Sequence, residues 1–174
     1  MNTSARLLLP IAMACILAAC HIPDTTMENG AIKLYGDTVA LQVAGSPKAT
    51  IGADGAFAID GKAVSVTPAE RELLVRYNQS VHSVHDTGLA MGRSGIETAA
   101  KAIKDKISST PDQANQTAEA GADELKKLNL DICKAEAAIK DTQDQLATQL
   151  AAFKPYASIV SASDVTDCEN GASN

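Results

Sequence analysis

The chain has no tryptophan, and its aromatic side chains amount to three tyrosines and two phenylalanines in 174 residues. With 45% hydrophobic residues it is too apolar for a wholly disordered chain, yet much of that fraction is alanine. Few large side chains are left to fill a thick core, so slim helix packing is favoured over a sandwich. Basic residues are also in deficit, 15 against 21 acidic, giving a net charge of -6. A general nucleic-acid binder needs the opposite balance. There is no glycine-rich phosphate loop, no paired-cysteine zinc pattern and no strained serine elbow. The apolar segment at the N-terminus, Leu7 to Ala19, has thirteen residues with no charge and contains Pro10. A membrane-spanning helix needs about 20 apolar residues.

That run suits the apolar region of an export signal instead, preceded by a short polar segment with one cation, Arg6. It ends in Leu17-Ala18-Ala19-Cys20. These residues resemble the lipobox of bacterial lipoproteins. The resemblance implies cleavage before Cys20, a diacylglycerol thioether on its sulfur and an acyl chain on the new amino terminus. An ordinary secretory signal is the alternative. A second lipobox ending at Cys15 is poorer, because Ala12 stands where leucine belongs. His21, rather than aspartate, follows Cys20, and by the same resemblance this favours the outer membrane, facing the periplasm. Processing would leave 14 basic and 21 acidic groups, a net charge of -7. The membrane partner is thus expected through acyl chains, without a polybasic patch.

Of four cysteines, Cys133 and Cys168 remain after export and lipidation. In an oxidising compartment two thiols most simply form one bridge. If the second helix ends near Phe153, Cys133 lies ~30 Å from that end, and residues 154–168 running back extended cover ~46 Å. A tail folded back along the helix therefore reaches. Two unpaired thiols are the alternative.

The remaining sequence divides by pattern. Residues 20–30 are polar and read as a tether. Residues 31–66 alternate, with turn signals at Gly36-Asp37, Gly45-Ser46-Pro47, Ala53-Asp54-Gly55 and Asp60-Gly61. This predicts an antiparallel β-meander in which Ile51 faces Phe57, and Phe57 faces Val64. Thr67-Pro68-Ala69-Glu70 is a capping-box helix start. Leu73, Leu74, Tyr77, Val81, Val84, Gly88, Met91, Ile96, Ala99, Ile103 and Ile107 then recur at helical spacing, so residues 67–109 form a first long helix. Either it bends at Gly88, Gly92 and Gly95, or a second helix approaches closely there. Residues 110–154 form a second helix with a seam from Leu125 to Phe153, broken by Thr142 and Gln149. Residues 155–174 are a polar tail anchored by Cys168. The expected fold is α+β, a small N-terminal meander packed on a long antiparallel helical hairpin. Self-association through the hairpin is an open expectation.

The segment Ala49 to Tyr77, ATIGADGAFAIDGKAVSVTPAERELLVRY, resembles the YggN-like family of proteobacterial periplasmic or lipoprotein-type proteins, a domain of unknown function. The likeness lies in paired hairpins with Asp-Gly turns running into a long Glu- and Arg-containing helix. It covers roughly residues 30–105. The family implies no activity, cofactor or catalytic residues.

Chemistry-bearing residues are sparse. His82 and His85 stand three apart on the first helix, with Asp86 adjacent, and two imidazoles on one face can share a metal. The plainer reading is a polar helix edge. Asp37, Asp54 and Asp60 each sit beside glycine and serve as turn residues. No serine occupies a nucleophile motif, and no cofactor is expected. The functional expectation is a non-enzymatic envelope lipoprotein, structural or bound to an unidentified periplasmic protein. One alternative is an inhibitor or immunity-type lipoprotein whose acidic surface masks a basic toxin or hydrolase. The other is a metal-binding protein using His82 and His85.

Overall fold

The computed structural model describes residues 22–108 and 111–173. The expected signal (1–19), the lipidation site Cys20 and the rival Cys15 lie outside them. The chain is α+β. Six strands, β1 (Thr25–Met27), β2 (Ile32–Tyr35), β3 (Thr38–Leu41), β4 (Ala49–Gly52), β5 (Phe57–Ile59) and β6 (Lys62–Val64), pair antiparallel in sequence order. Two long helices follow, α1 (Pro68–Ser108) and α2 (Pro111–Gln149), then a short α3 (Ala162–Ser173).

Turn chemistry sets the register of the sheet. Asp60 and Gly61 both have positive φ, +47° and +74°, as a two-residue hairpin turn with right-handed strand twist demands. Gly55 has φ +75°. A Cβ on Gly55 would also stand 2.6 Å from the Arg71 carbonyl oxygen, so conformation and helix approach both require glycine. Ile51 consequently pairs with Phe57, and Phe57 with Val64, as the turns predict. Since strand side chains alternate, Ile32, Leu34, Val39, Leu41, Ala49, Ile51 and Phe57 are buried on one face.

α1 covers that face. Its start is the predicted capping box: the Thr67 amide donates to Glu70 Oε2 (2.6 Å), and the Glu70 amide donates to Thr67 Oγ1 (3.3 Å). Leu73, Leu74, Tyr77 and Val81 of α1 and Ile139 and Leu146 of α2 join the strands in one core. Phe153 sits at its centre, with ring centroids 5.9 Å from Phe57, 5.9 Å from Tyr77 and 5.7 Å from Tyr156. Four of the five aromatics are thus spent on one cluster.

Four expectations are corrected. The tether is shorter than 20–30, because residues 25–27 add β1 to the sheet edge and Glu28–Gly30 make a 3₁₀ turn. One alternating apolar residue, Met27, is too little signal for so short a strand. The main chain supplies the pairing, beginning with the Asp24 amide on the Leu34 carbonyl oxygen (2.8 Å). Second, α2 stops at Gln149, not 154. Leu150 adopts extended backbone, and Ala151–Tyr156 forms a 3₁₀ turn that swings Phe153 inward. Gln149 is therefore exposed, and the seam passes instead through Leu146, Leu150 and Phe153. Third, residues 155–174 are not an extended tail. Ser161 and Asp164 form a reciprocal cap (2.7 and 3.2 Å) that starts α3. Fourth, α1 runs without interruption, and open space surrounds the Cβ positions of Gly88, Gly92 and Gly95. The close approach is made by Gly121 of α2, where a Cβ would overlap the Thr98 side chain.

The apolar spacing of α1 also changes meaning along its length. Leu73, Leu74, Tyr77 and Val81 are buried, and Val84 packs half-buried against the core. Beyond the sheet edge, Leu89, Ile96, Ile103 and Ile107 are exposed. Among the described residues, the distal parts of α1 and α2 form an arm of two helices.

Candidate functional site

The polar chemistry gathers where the C-terminal segment returns to the hairpin. Cys133, buried on α2, is bonded to Cys168 of α3 with Cα atoms 5.5 Å apart across 35 residues of sequence. One helical turn beyond Cys133 stands Glu136. It is near enough to Glu28 of the 3₁₀ turn after β1, and to Asp164 of α3, for the carboxylates to feel one another's charge. Partial burial comes first and repulsion second, and together they raise the pKa of Glu28 and Glu136 above the ordinary carboxylate value. Asp164 moves the opposite way, because its carboxylate accepts hydrogen bonds from Ser161. This corner is a negative patch around a covalent staple.

Next to it lies the buried Tyr77, whose hydroxyl finds no hydrogen-bond partner among the described residues. Burial first, then the charge of Glu28, pushes its pKa far above the phenol value, so the group stays neutral. Two buried amides do the opposite and satisfy backbone groups between elements. Asn78 Nδ2 donates to the Asp37 and Ile51 carbonyl oxygens (3.0 and 3.1 Å), tying α1 to the sheet. Gln143 donates to the Ala157 and Val160 carbonyl oxygens (2.8 Å each) and accepts from the Val160 amide (3.1 Å). The Tyr156 hydroxyl closes the return by donating to the Pro47 carbonyl oxygen (2.7 Å). None of these four roles is visible in sequence. The available signal was polar residues falling within apolar helical rows.

The histidines have separate surroundings. His85 Nδ1 is hydrogen-bonded to Thr25 Oγ1, fastening β1 to α1. His82 lines a shallow groove of about 480 Å³ with Asp37, Asn78 and Asp86. No group of three His, Cys, Asp or Glu side chains converges as a metal ion requires, among the described residues. A larger open groove of about 590 Å³ runs between α1 and α2, edged by Arg76, Ser83, Asp131, Lys134 and Asp141. It holds no paired nucleophile and base. Among the described residues no helix is long and apolar enough to cross a membrane. Comparison with family models, with curated proteins and with solved structures finds no match to this chain.

Proposed function

We propose that the chain is an envelope lipoprotein anchored through Cys20, on the periplasm-facing side of the outer membrane, with a non-enzymatic structural or protein-binding role. One observation carries the reading: Leu17-Ala18-Ala19-Cys20 closes a thirteen-residue apolar run that is too short to span a bilayer. The Cys133–Cys168 bridge supports it independently, since structural disulfides persist in exported proteins and are rare in reducing cytosol. A body in which Asn78, Gln143 and Tyr156 are engaged in tying elements together suits a scaffold better than a catalyst.

The test is mass spectrometry of the protein purified from membranes. The N-terminal peptide is expected to begin at Cys20 and to carry the mass of a diacylglycerol and one further acyl chain. Cys20→Ala is expected to move the protein from the membrane fraction to the soluble periplasmic fraction. A free thiol at Cys20 in membrane-extracted protein overturns the reading.

A further inference from the structure

Leu89, Ile96, Ile103 and Ile107 follow one another at spacings of seven, seven and four, so they share a face of α1. They are 48%, 73%, 63% and 82% exposed, with exposure greatest at the distal end. Gly92, Ala99 and Ala100, between them, are exposed as well. This row continues the line of Asn78 and His85, through which α1 meets the sheet, and within the described residues its large aliphatics after His85 are exposed. Four large aliphatics in one row are more than the scattered single apolar residues of an ordinary surface.

The chain's own entry point lies beside this row. β1 begins at Thr25, which is hydrogen-bonded to His85, and Leu89 lies about one helical turn, ~6 Å, further along α1. Cys20 precedes Thr25 by five residues, a span of at most ~17 Å fully extended. Ile22, between them, is 80% exposed. Acyl chains on Cys20 would therefore start no more than ~17 Å from Thr25, within reach of the proximal end of the apolar row. Charge points the same way. Residues 88–107 carry four cations, Arg93, Lys101, Lys104 and Lys106, against Glu97 and Asp105, in a chain whose net charge is -6. The opposing stretch of α2, residues 112–131, carries five acids against two lysines.

Resting on the lipoprotein reading, we infer that this face of the α1 arm docks on the surface of the anchoring leaflet. The arm tip goes deepest, Ile103 and Ile107 enter the head-group boundary, and Arg93 and Lys104 meet anionic head groups. An amphipathic helix with aliphatic and basic residues on one side binds an interface in this way. α2, with its acids, faces away. A second copy of the chain fits the row less well. Arg93 and Lys104 lie almost symmetrically about its midpoint, so an antiparallel pair brings them against each other, and a parallel pair brings each against itself. Docking would convert a loose lipid tether into a fixed orientation, holding the sheet and the disulfide corner at a set height above the leaflet.

Because the chain has no tryptophan, a single introduced indole reports depth. Full-length lipoprotein carrying Ile103→Trp, and separately Ala118→Trp on α2, is reconstituted into phosphatidylethanolamine–phosphatidylglycerol vesicles with brominated acyl chains. Quenching is expected for Ile103→Trp and not for Ala118→Trp. Full-length Cys20→Ala, made without the lipid, is expected to bind the same vesicles weakly, to bind phosphatidylcholine vesicles less, and to release with salt. Adding Ile103→Asp to it is expected to lower partitioning about tenfold or more. Lipidated protein whose Ile103→Trp indole is unquenched overturns the docking and leaves the lipid anchor standing. Quenching on anionic vesicles together with an unmodified Cys20 sulfur keeps the docking and removes the anchor. A vesicle-free dimer that Ile103→Asp abolishes assigns the row to a second copy and overturns the proposal.

Discussion

The same two helices are built in two ways along their length. Beneath the sheet, α1 and α2 bury Leu73, Leu74, Tyr77, Val81, Ile139 and Leu146 around Phe153, and α3 is stapled on by Cys133–Cys168. In the arm, α1 and α2 have only each other among the described residues, with Gly121 against Thr98 and a Thr117–Asp105 hydrogen bond (2.8 Å) between them. The apolar spacing of α1 is nearly uniform across both regions, so periodicity fixes which face is apolar but not what covers it. A sheet only six short strands wide covers the proximal half and no more.

This contrast can be broken most sharply by truncating one side chain from each region. Phe153→Ala is expected to lower stability by about 3–5 kcal/mol, because it opens a cavity touched by three other rings. Ile103→Ala in the arm is expected to stay within about 0.5 kcal/mol. Urea melts of both variants measure the difference. If the arm residue matters as much as the core residue in isolated protein, the division into two regions is wrong.

Reduction of the Cys133–Cys168 bridge comes next, at about 3–4 kcal/mol for a closed loop of this length. Its loss is expected to increase hydrogen exchange in α3 before the sheet, because α3 docks chiefly on α2.

Glycine substitutions sharpen the comparison within the arm itself. Gly121→Ala is expected to destabilise by about 1–3 kcal/mol through overpacking against Thr98. Gly92→Ala, which meets open space in an uninterrupted helix, is expected to stabilise by about 0.5–1 kcal/mol. Thermal melts showing the same sign for both would contradict the positions assigned to them.

Tyr77→Phe, back in the core, is expected to be neutral or to stabilise by about 1 kcal/mol, since it removes a buried hydroxyl with no partner. The ring contact with Phe153 stays.

The smallest effect is pH-dependent. A carboxyl with a raised pKa in the folded state holds its proton longer than in the unfolded chain. Stability is then present at low pH and declines as pH rises through the carboxylate range. Glu136→Gln is therefore expected to be slightly more stable than the parent at neutral pH. Solvent screening of this half-exposed group limits the gain to about a few tenths of a kcal/mol. The gain should vanish below about pH 4, which paired melts across pH would show.

Local chemistry was legible where it acts over a few residues. Asp60-Gly61, Gly55 and the Thr67–Glu70 box each fix backbone geometry from neighbours alone, and each stands where its residues say. The Cys133–Cys168 pairing followed from the count of cysteines on the expectation of an oxidising compartment. Less was legible where distant groups decide. β1 forms because β2 offers an edge, not because Thr25–Met27 is a strong strand. Gln143 lies in a helix whose neighbours are charged, and only the returning backbone at Ala157 and Val160 makes it a core residue. The separate surroundings of His82 and His85 depend on Thr25, sixty residues before His85.

By itself, the sequence determined strands β2–β6, the register from β4 to β6 and the two long helices, because turns, caps and apolar runs act through neighbouring residues. Tertiary structure alone decided where the apolar face of α1 ceases to be core, what the C-terminal segment packs against, and which carboxylates crowd at the staple. Burial and charge repulsion depend on distances in space, and those exist only once the sheet, the hairpin and the return segment have packed together.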